Sequence, residues 1–168
     1  SRSIAADVAE LLDGGKVVGW FQGRSEFGPR ALGQRSILAN PVFADMKDRL
    51  NASIKYRETY RPFAPCMPFS AGSRYFHEMP DTGVPFMEKA LRFRPGPAAG
   101  IPACVHADGT GRVQTVVPDD NPLLHDMLIQ LERRTGHPVV INTSFNVNDE
   151  PIVLTPSDAI RTFFTSGL

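Results

Sequence analysis

Apolar residues in this chain come in short runs of strand length, and these break off into polar turns crowded with arginine, serine or asparagine. Residues 17–21 lead into GRSEFGPRALGQRS (23–36), and residues 139–142 lead into TSFN. Helical repeats surround them: Ile4, Val8, Leu11 and Leu12; Met46, Leu50 and Ile54; Leu124, Met127, Leu128 and Leu131. Strands and helices mixed without strict alternation predict an α/β or α+β fold, with helices packed on a mixed sheet. A length of 168 residues fits one domain with its own core. Residues 1–168 are therefore read as one domain.

Boundary signals sharpen this outline. Gly14 and Gly15 end the first helix, and Lys55 lies near the end of the second. Residues 36–39 read as a second strand. The stretch RPFAPCMPF is expected at a sheet edge, because proline cannot donate to a ladder. Residues 72–102, rich in proline and scattered aromatics, read as an excursion covering one face. DGTG between Val105 and Val113 predicts a hairpin turn, with Val113, Thr115 and Val117 alternating on one strand. Asn121 caps a helix with Pro122 in its first turn, and Gly136 stops it. A last helix opens at Thr155-Pro156, with Asp158 completing a capping box and Ile160, Phe163 and Phe164 expected to face inward.

Eighteen basic and eighteen acidic residues leave the whole chain neutral. Residues 24–61 nevertheless hold eight bases against four acids, so that quarter carries +4 and the remainder −4. Non-specific nucleic-acid binding usually needs an overall basic balance, so nucleic acid is not the expected partner. A local excess fits a small anion better. No apolar run approaches the roughly 20 residues of a membrane span. With Asp7 and Glu10 in the opening segment, no signal peptide is expected and the chain reads as cytoplasmic. Cys66 and Cys104 read as buried thiols, and the four histidines show no metal-ligand spacing, so no protein-held metal is expected. Beginning at Ser1 and stopping after an apolar helix, the chain is expected to be a fragment of a longer one.

Three clusters could carry chemistry. In the first, Arg30 sits in FGPRALG, where Pro29 fixes the backbone and Gly28 and Gly33 bracket a tight path. Its guanidinium offers a planar fork that matches phosphate or carboxylate oxygens two at a time. The second, IKYRETYRPF, sets Lys55, Arg57 and Arg61 beside Tyr56 and Tyr60, a phosphate clamp with aromatic walls or merely solvated cations at a helix end. The third, VVINTSFN, places Asn142, Thr143, Ser144 and Asn146 after a buried strand; such turns also form for purely local reasons. Arg112, beside DGTG, could reach the same cavity. There is no GxxxxGK[ST], GxGxxG or GxSxG motif, so side chains must hold any phosphate. Ser144 has no histidine nearby in sequence, which argues against covalent serine catalysis.

Taken in order, GRSEFGPRALGQRSILA, NASIKYRETYRPFAP, DGTGRVQTV and NTSFNVNDEPIVLTPSDA resemble the C-terminal domain of the NodU and tobramycin type of O-carbamoyltransferases. The resemblance covers nearly the whole chain except about residues 72–102. It implies a YrdC-like fold, a twisted mixed sheet around a basic cavity. The YrdC signature, KxR followed by SxN, is matched by Lys55-Tyr56-Arg57 and Ser144-Phe145-Asn146. The resemblance further implies that carbamoyl phosphate and ATP, with Mg²⁺ held mainly by phosphate oxygens, are converted to a carbamoyl-adenylate with release of pyrophosphate. An N-terminal domain of actin-like ATPase fold would then pass the carbamoyl group to a hydroxyl. Lys55, Arg61 and Ser144 are the catalytic residues this implies, with Arg30, Arg57, Arg112, Asn142 and Asn146 binding substrate or nucleotide. Threonylcarbamoyl-adenylate synthesis for tRNA modification, or RNA binding without catalysis, are the alternatives.

Overall fold

Seven strands occur among residues 3–168, the part of the chain described by the computed structural model. In chain order they are β1 (Val18–Phe21), β2 (Arg35–Ala39), β3 (Ala64–Pro68), β4 (Ala90–Arg92), β5 (Thr110–Arg112), β6 (Gln114–Val116) and β7 (Val140–Ser144). Five form a mixed sheet in the order β1-β2-β7-β3-β6; β4 and β5 pair as a separate ribbon. β7 runs antiparallel to both β2 and β3, while β3 and β6 run parallel. The helices are α1 (Ile4–Asp13), α2 (Met46–Leu50), α3 (Gly72–Tyr75), α4 (Pro95–Ala99), α5 (Pro122–Thr135) and α6 (Pro156–Thr165).

Both faces of the central strands are covered, so their alternation sorts side chains into two cores. On one face Leu38 of β2 and Val140 of β7 meet Ala5, Val8, Ala9 and Leu12 of α1 and Leu124, Met127, Leu128 and Leu131 of α5. On the other, Ile37, Ala39 and Ile141 meet Met46 and Leu50 of α2, Ile54 and Ala159 of α6. Burying each leucine-sized side chain contributes about 1.5–3 kcal/mol. α5 starts and stops where the sequence predicts, with Asn121 Oδ1 accepting from Leu124 N and Gly136 in left-handed backbone at φ 78°. In α1 the buried stripe is Ala5, Val8, Ala9 and Leu12, whereas Ile4 and Leu11 lie outside it.

Four expectations are corrected. RPFAPCMPF does not lie at an edge: β3 sits between β7 and β6. Its two partners are staggered, so Pro65 faces only the β7 ladder and Pro68 only the β6 ladder; Cys66 alone is paired on both sides. The prolines thus occupy positions where a donor is needed least. DGTG does form a turn, with Gly109 N donating to His106 O, but the strand leaving it pairs with β4 rather than with residues 103–105. Residues 72–102 do more than cover a face, for Tyr75, Phe76, Val84, Phe93 and Ile101 build a third core with Met67, Val113 and Val139. Lastly, α6 has its capping box at Thr155 and Asp158, yet it buries Ala159 and Thr162. Ile160, Phe163 and Phe164 point outward, one helical step off the buried stripe.

Candidate active site: a cavity walled by arginines

Strand direction alone brings the clusters together. Because β7 is antiparallel to β2 and β3, and β3 parallel to β6, the end of β7 coincides with the beginnings of β2, β3 and β6. The turn after β7 therefore shares one rim of the sheet with the segments preceding β2, β3 and β6. Those segments carry Arg30, Arg57 and Arg112. A cavity of about 110 Å³ lies there, and its walls include these three arginines with Phe63, Met87, Asn142 and Ser144. Met87 takes left-handed backbone at φ 56° despite its size, an unusual conformation beside a candidate site.

The first arginine loop is held by its one acid. Glu26 Oε1 accepts hydrogen bonds from the backbone N–H groups of Leu32 at 2.7 Å, Gln34 at 2.8 Å and Arg35 at 3.2 Å. The carboxylate thus organises the loop, and no ion pair joins it to Arg30 among the described residues. Gly28 and Gly33 have φ of 120° and 106°. A Cβ on Gly33 would lie 2.4 Å from a methyl of Leu124, so this path requires glycine twice over. Arg35 turns inward: it donates to the carbonyls of Gln22, Gly23 and Gln34 and stacks 3.6 Å over the Phe21 ring. It braces the loop. Arg24 lines a separate, larger cavity beside Phe27 and Phe86.

In the second cluster the helix breaks between its cations. A π-helical turn over Asn51–Lys55 ends at Tyr56, which is left-handed at φ 47°. Lys55 is consequently buried at 4% exposure, while Arg57 lines the cavity. Lys55 Nζ donates to the Ser144 carbonyl, to Ser144 Oγ at 3.3 Å, to the Asn146 carbonyl at 2.9 Å and to Asn146 Oδ1 at 2.8 Å. Lys55 of KxR and both residues of SxN are thus one bonded unit, with lysine behind the cavity wall. Burial first, and the Arg57 charge second, pull the Lys55 amine down to about 7. Arg61 lies outside the cavity lining, exposed, 3.9 Å from Glu58.

Asn51 is the residue that sequence reasoning missed here. Fully buried, it accepts from Arg57 Nε at 2.8 Å and donates to the carbonyls of Thr59 and Arg61. Phe63 supports the Arg57 guanidinium from 4.7 Å. A polar residue directly after the buried Leu50 was the available signal. Gln114 was missed too, and it hydrogen-bonds Asn142 at 2.7 Å.

No carboxylate lines the cavity. Among the described residues no carboxylate comes within ion-pairing distance of Arg30, Arg57 or Arg112. Burial lowers the affinity of Arg57 and Arg112 for their protons; at Arg57 the charges of Arg61 and Arg112 add to it and Glu58 opposes it, and at Arg112 Arg30 adds to it. Three cations gathered around a small hollow have the chemistry to receive an anion. No three His, Cys, Asp or Glu side chains gather to hold a metal among the described residues. Cys66 and Cys104 are buried and unpaired, and burial pushes both thiols up. Among the described residues no helix is long and apolar enough to cross a membrane.

This sheet, with helices on both faces and an arginine-lined hollow at one rim, matches the expected class. Its backbone superposes on the crystal structure of full-length HypF in the phosphate- and nucleotide-bound form with a TM-score of 0.61, over 97% of this chain and 20% of that one, at 17% identity. HypF from T. kodakarensis gives a TM-score of 0.59. The fold is YrdC-like. In sequence, residues 9–168 match the family described as carbamoyltransferase C-terminus, and the chain belongs to it. It is 49% identical to the nodulation protein NolO of Bradyrhizobium diazoefficiens, covering all of this chain and 31% of that protein. It is 43% identical to the 3'-hydroxymethylcephem-O-carbamoyltransferase of Amycolatopsis lactamdurans, covering 95% of this chain and 30% of the relative. The chain thus spans about a third of the length of these relatives.

Proposed function

We propose that this chain is the adenylate-forming part of an O-carbamoyltransferase. In this reading carbamoyl phosphate is split by water to carbamate and inorganic phosphate. A carbamate oxygen then attacks the α-phosphorus of ATP, the bond to the β-phosphate oxygen breaks, and pyrophosphate leaves. The product is a carbamoyl-adenylate, whose carbamoyl group a further domain of the same enzyme passes to a hydroxyl acceptor. The observation that carries the reading is the arginine triad Arg30, Arg57 and Arg112, without carboxylates, around a hollow of about 110 Å³. That volume suits the small reacting anions, with the rest of a nucleotide extending out over the rim.

The work asked of the protein is positioning and electrostatics. Negative charge grows on the α-phosphate oxygens and the departing pyrophosphate, and fixed guanidinium groups in a partly dry hollow stabilise it as it forms. Lys55 acts from behind: it holds Ser144 and Asn146 in one arrangement and adds charge beneath the anion. The hollow is lined by cations, amides and apolar groups, a poor donor set for Mg²⁺, which prefers oxygen ligands. The residues do not fit a protein-held metal, and Mg²⁺ would arrive on ATP.

The test uses protein expressed from its whole gene. Radioactive pyrophosphate should exchange into ATP only when carbamoyl phosphate is present. Exchange dependent on threonine and bicarbonate instead would move the reaction to threonylcarbamoyl-adenylate synthesis, and no exchange with either would defeat the reading.

A further inference from the structure

The walls of the hollow carry arginines, hydroxyls, an amide and apolar groups, but neither a carboxylate nor a histidine. Lys55 is turned away, its amine donating to four oxygens behind the wall. The hollow therefore holds no base for the water that splits carbamoyl phosphate. A side-chain relay in the turn before Arg112 supplies one. Asp108 Oδ1 accepts from Thr110 N at 3.0 Å and from Thr110 Oγ1 at 2.7 Å. These bonds hold the Asp108 carboxyl below its usual range, so it stays ionised and only accepts. The hydroxyl proton of Thr110 thus points at Asp108, and its lone pairs face His106 Nδ1, 3.1 Å away. Nδ1 carries the ring proton, which leaves the lone pair on Nε2. Two backbone bonds close the turn around the ring: His106 N donates to Thr110 O at 2.8 Å, and Gly109 N to His106 O at 2.9 Å.

Strand alternation sets this relay on the hollow's side of the ribbon. A Cβ at Gly111 would meet the Phe93 ring, and Val113 is buried in the same third core. Thr110 and Arg112 of β5 therefore project to the opposite face, and Arg112 lines the hollow. His106 is half-buried on that face. Burial, opposed by the Asp108 charge and reinforced by that of Arg112, holds the imidazole below its ordinary 6.5, so the ring is mainly neutral at pH 7. Arg92, opposite Thr110 on β4, adds a further positive charge beside the turn. Building on the carbamoyl-adenylate reading, we propose that His106 is the general base of its hydrolytic half, taking a proton through Nε2 from the water that attacks the carbonyl carbon of carbamoyl phosphate. The water oxygen bonds to carbon as the proton passes to nitrogen. The bond from carbon to the bridging oxygen then breaks, its electron pair leaves with phosphate, and the imidazolium returns the proton to that phosphate. The carbamic acid left behind gives a proton to solvent and becomes carbamate. Asp108 and Thr110 are positioning residues that keep the proton on Nδ1 and the lone pair on Nε2. The adenylation that follows moves no proton and needs no base.

Carbamate forms at equilibrium from ammonium and bicarbonate, and supplying it this way bypasses the hydrolysis. Pyrophosphate exchange into ATP is therefore measured with each donor, carbamoyl phosphate or ammonium bicarbonate, using protein expressed from its whole gene. His106→Ala should slow exchange driven by carbamoyl phosphate about a hundredfold, the usual contribution of a positioned base. Exchange driven by ammonium bicarbonate should stay as it is in the unaltered protein. His106→Gln still bonds Thr110 but takes no proton, so it should match the alanine variant; a purely structural role would let glutamine restore the rate. Thr110→Val keeps the ring and loses the relay, and its loss should be smaller. With carbamoyl phosphate, the unaltered protein should slow as pH falls below 6.5 and the imidazole protonates, and His106→Gln should lack that limb. The proposal is overturned if a folded His106 variant keeps its rate with carbamoyl phosphate, or if it loses both donors equally. Should His106→Ala fail to fold, His106→Gln decides. Absence of exchange with both donors in the unaltered protein is a different failure, that of the adenylation reading itself, and it takes this proposal with it.

Discussion

Lys55 is a buried cation with four oxygen acceptors around its nitrogen. Those oxygens favour the ammonium and burial disfavours it; burial prevails, bringing the amine from 10.5 to about 7. Between these values the unfolded chain binds the proton and the folded chain increasingly does not. Stability from this group is therefore fully present above about 10.5 and lost as pH falls through about 7. Urea denaturation should show the stability of the unaltered protein, relative to Lys55→Met, rising between pH 7 and pH 10; a flat difference would contradict the assignment. Arg61 contrasts with it. Exposed and 3.9 Å from Glu58, it should change stability by less than about 0.5 kcal/mol on conversion to alanine. If Arg61→Ala abolishes exchange while its melt is unchanged, Arg61 reaches the nucleotide outside the hollow.

Helices and strands of this chain were readable to different degrees, for physical reasons. α5 declares itself through Asn121, Pro122, a four-residue apolar stripe and Gly136, because caps and stripe are all local. β3 misleads, because what its prolines cost depends on the register of two neighbours that lie 46–80 residues further along the chain. α6 misleads differently: its apolar stripe is real, but the stripe that packs is Ala159 and Thr162. Phe163 and Phe164 stack edge to face on the outside, their centroids 5.3 Å apart. Phe164→Lys should accordingly shift stability by no more than about 0.5 kcal/mol, whereas Ala159→Asp should cost several times that by burying an unpaired charge. Thermal melts of the two variants check this, and equal losses would place Phe164 in the core.

At the scale of the molecule, the site was legible as residues and not as geometry. Arg30, Arg57, Arg112, Asn142 and Ser144 come to one hollow because three strands begin where β7 ends. No local pattern encodes that crossing; the separate motifs could only imply it through a family resemblance. Sequence could not separate Lys55, behind the wall, from Arg57, in it, since the break at Tyr56 is a left-handed residue without a glycine to announce it. Asn51 and Gln114, which hold Arg57 and Asn142 in place, lie inside the blocks NASIKYRETYRPFAP and DGTGRVQTV, but nothing local to either residue announces that role.

The arginine hollow as the seat of adenylation is the central claim, and Arg112 tests it most directly. Pyrophosphate exchange into ATP, driven by carbamoyl phosphate, should fall about a hundredfold or more in Arg112→Gln while the melting temperature stays within about 2 °C of the unaltered protein. Unchanged exchange in a folded Arg112→Gln variant would contradict the account.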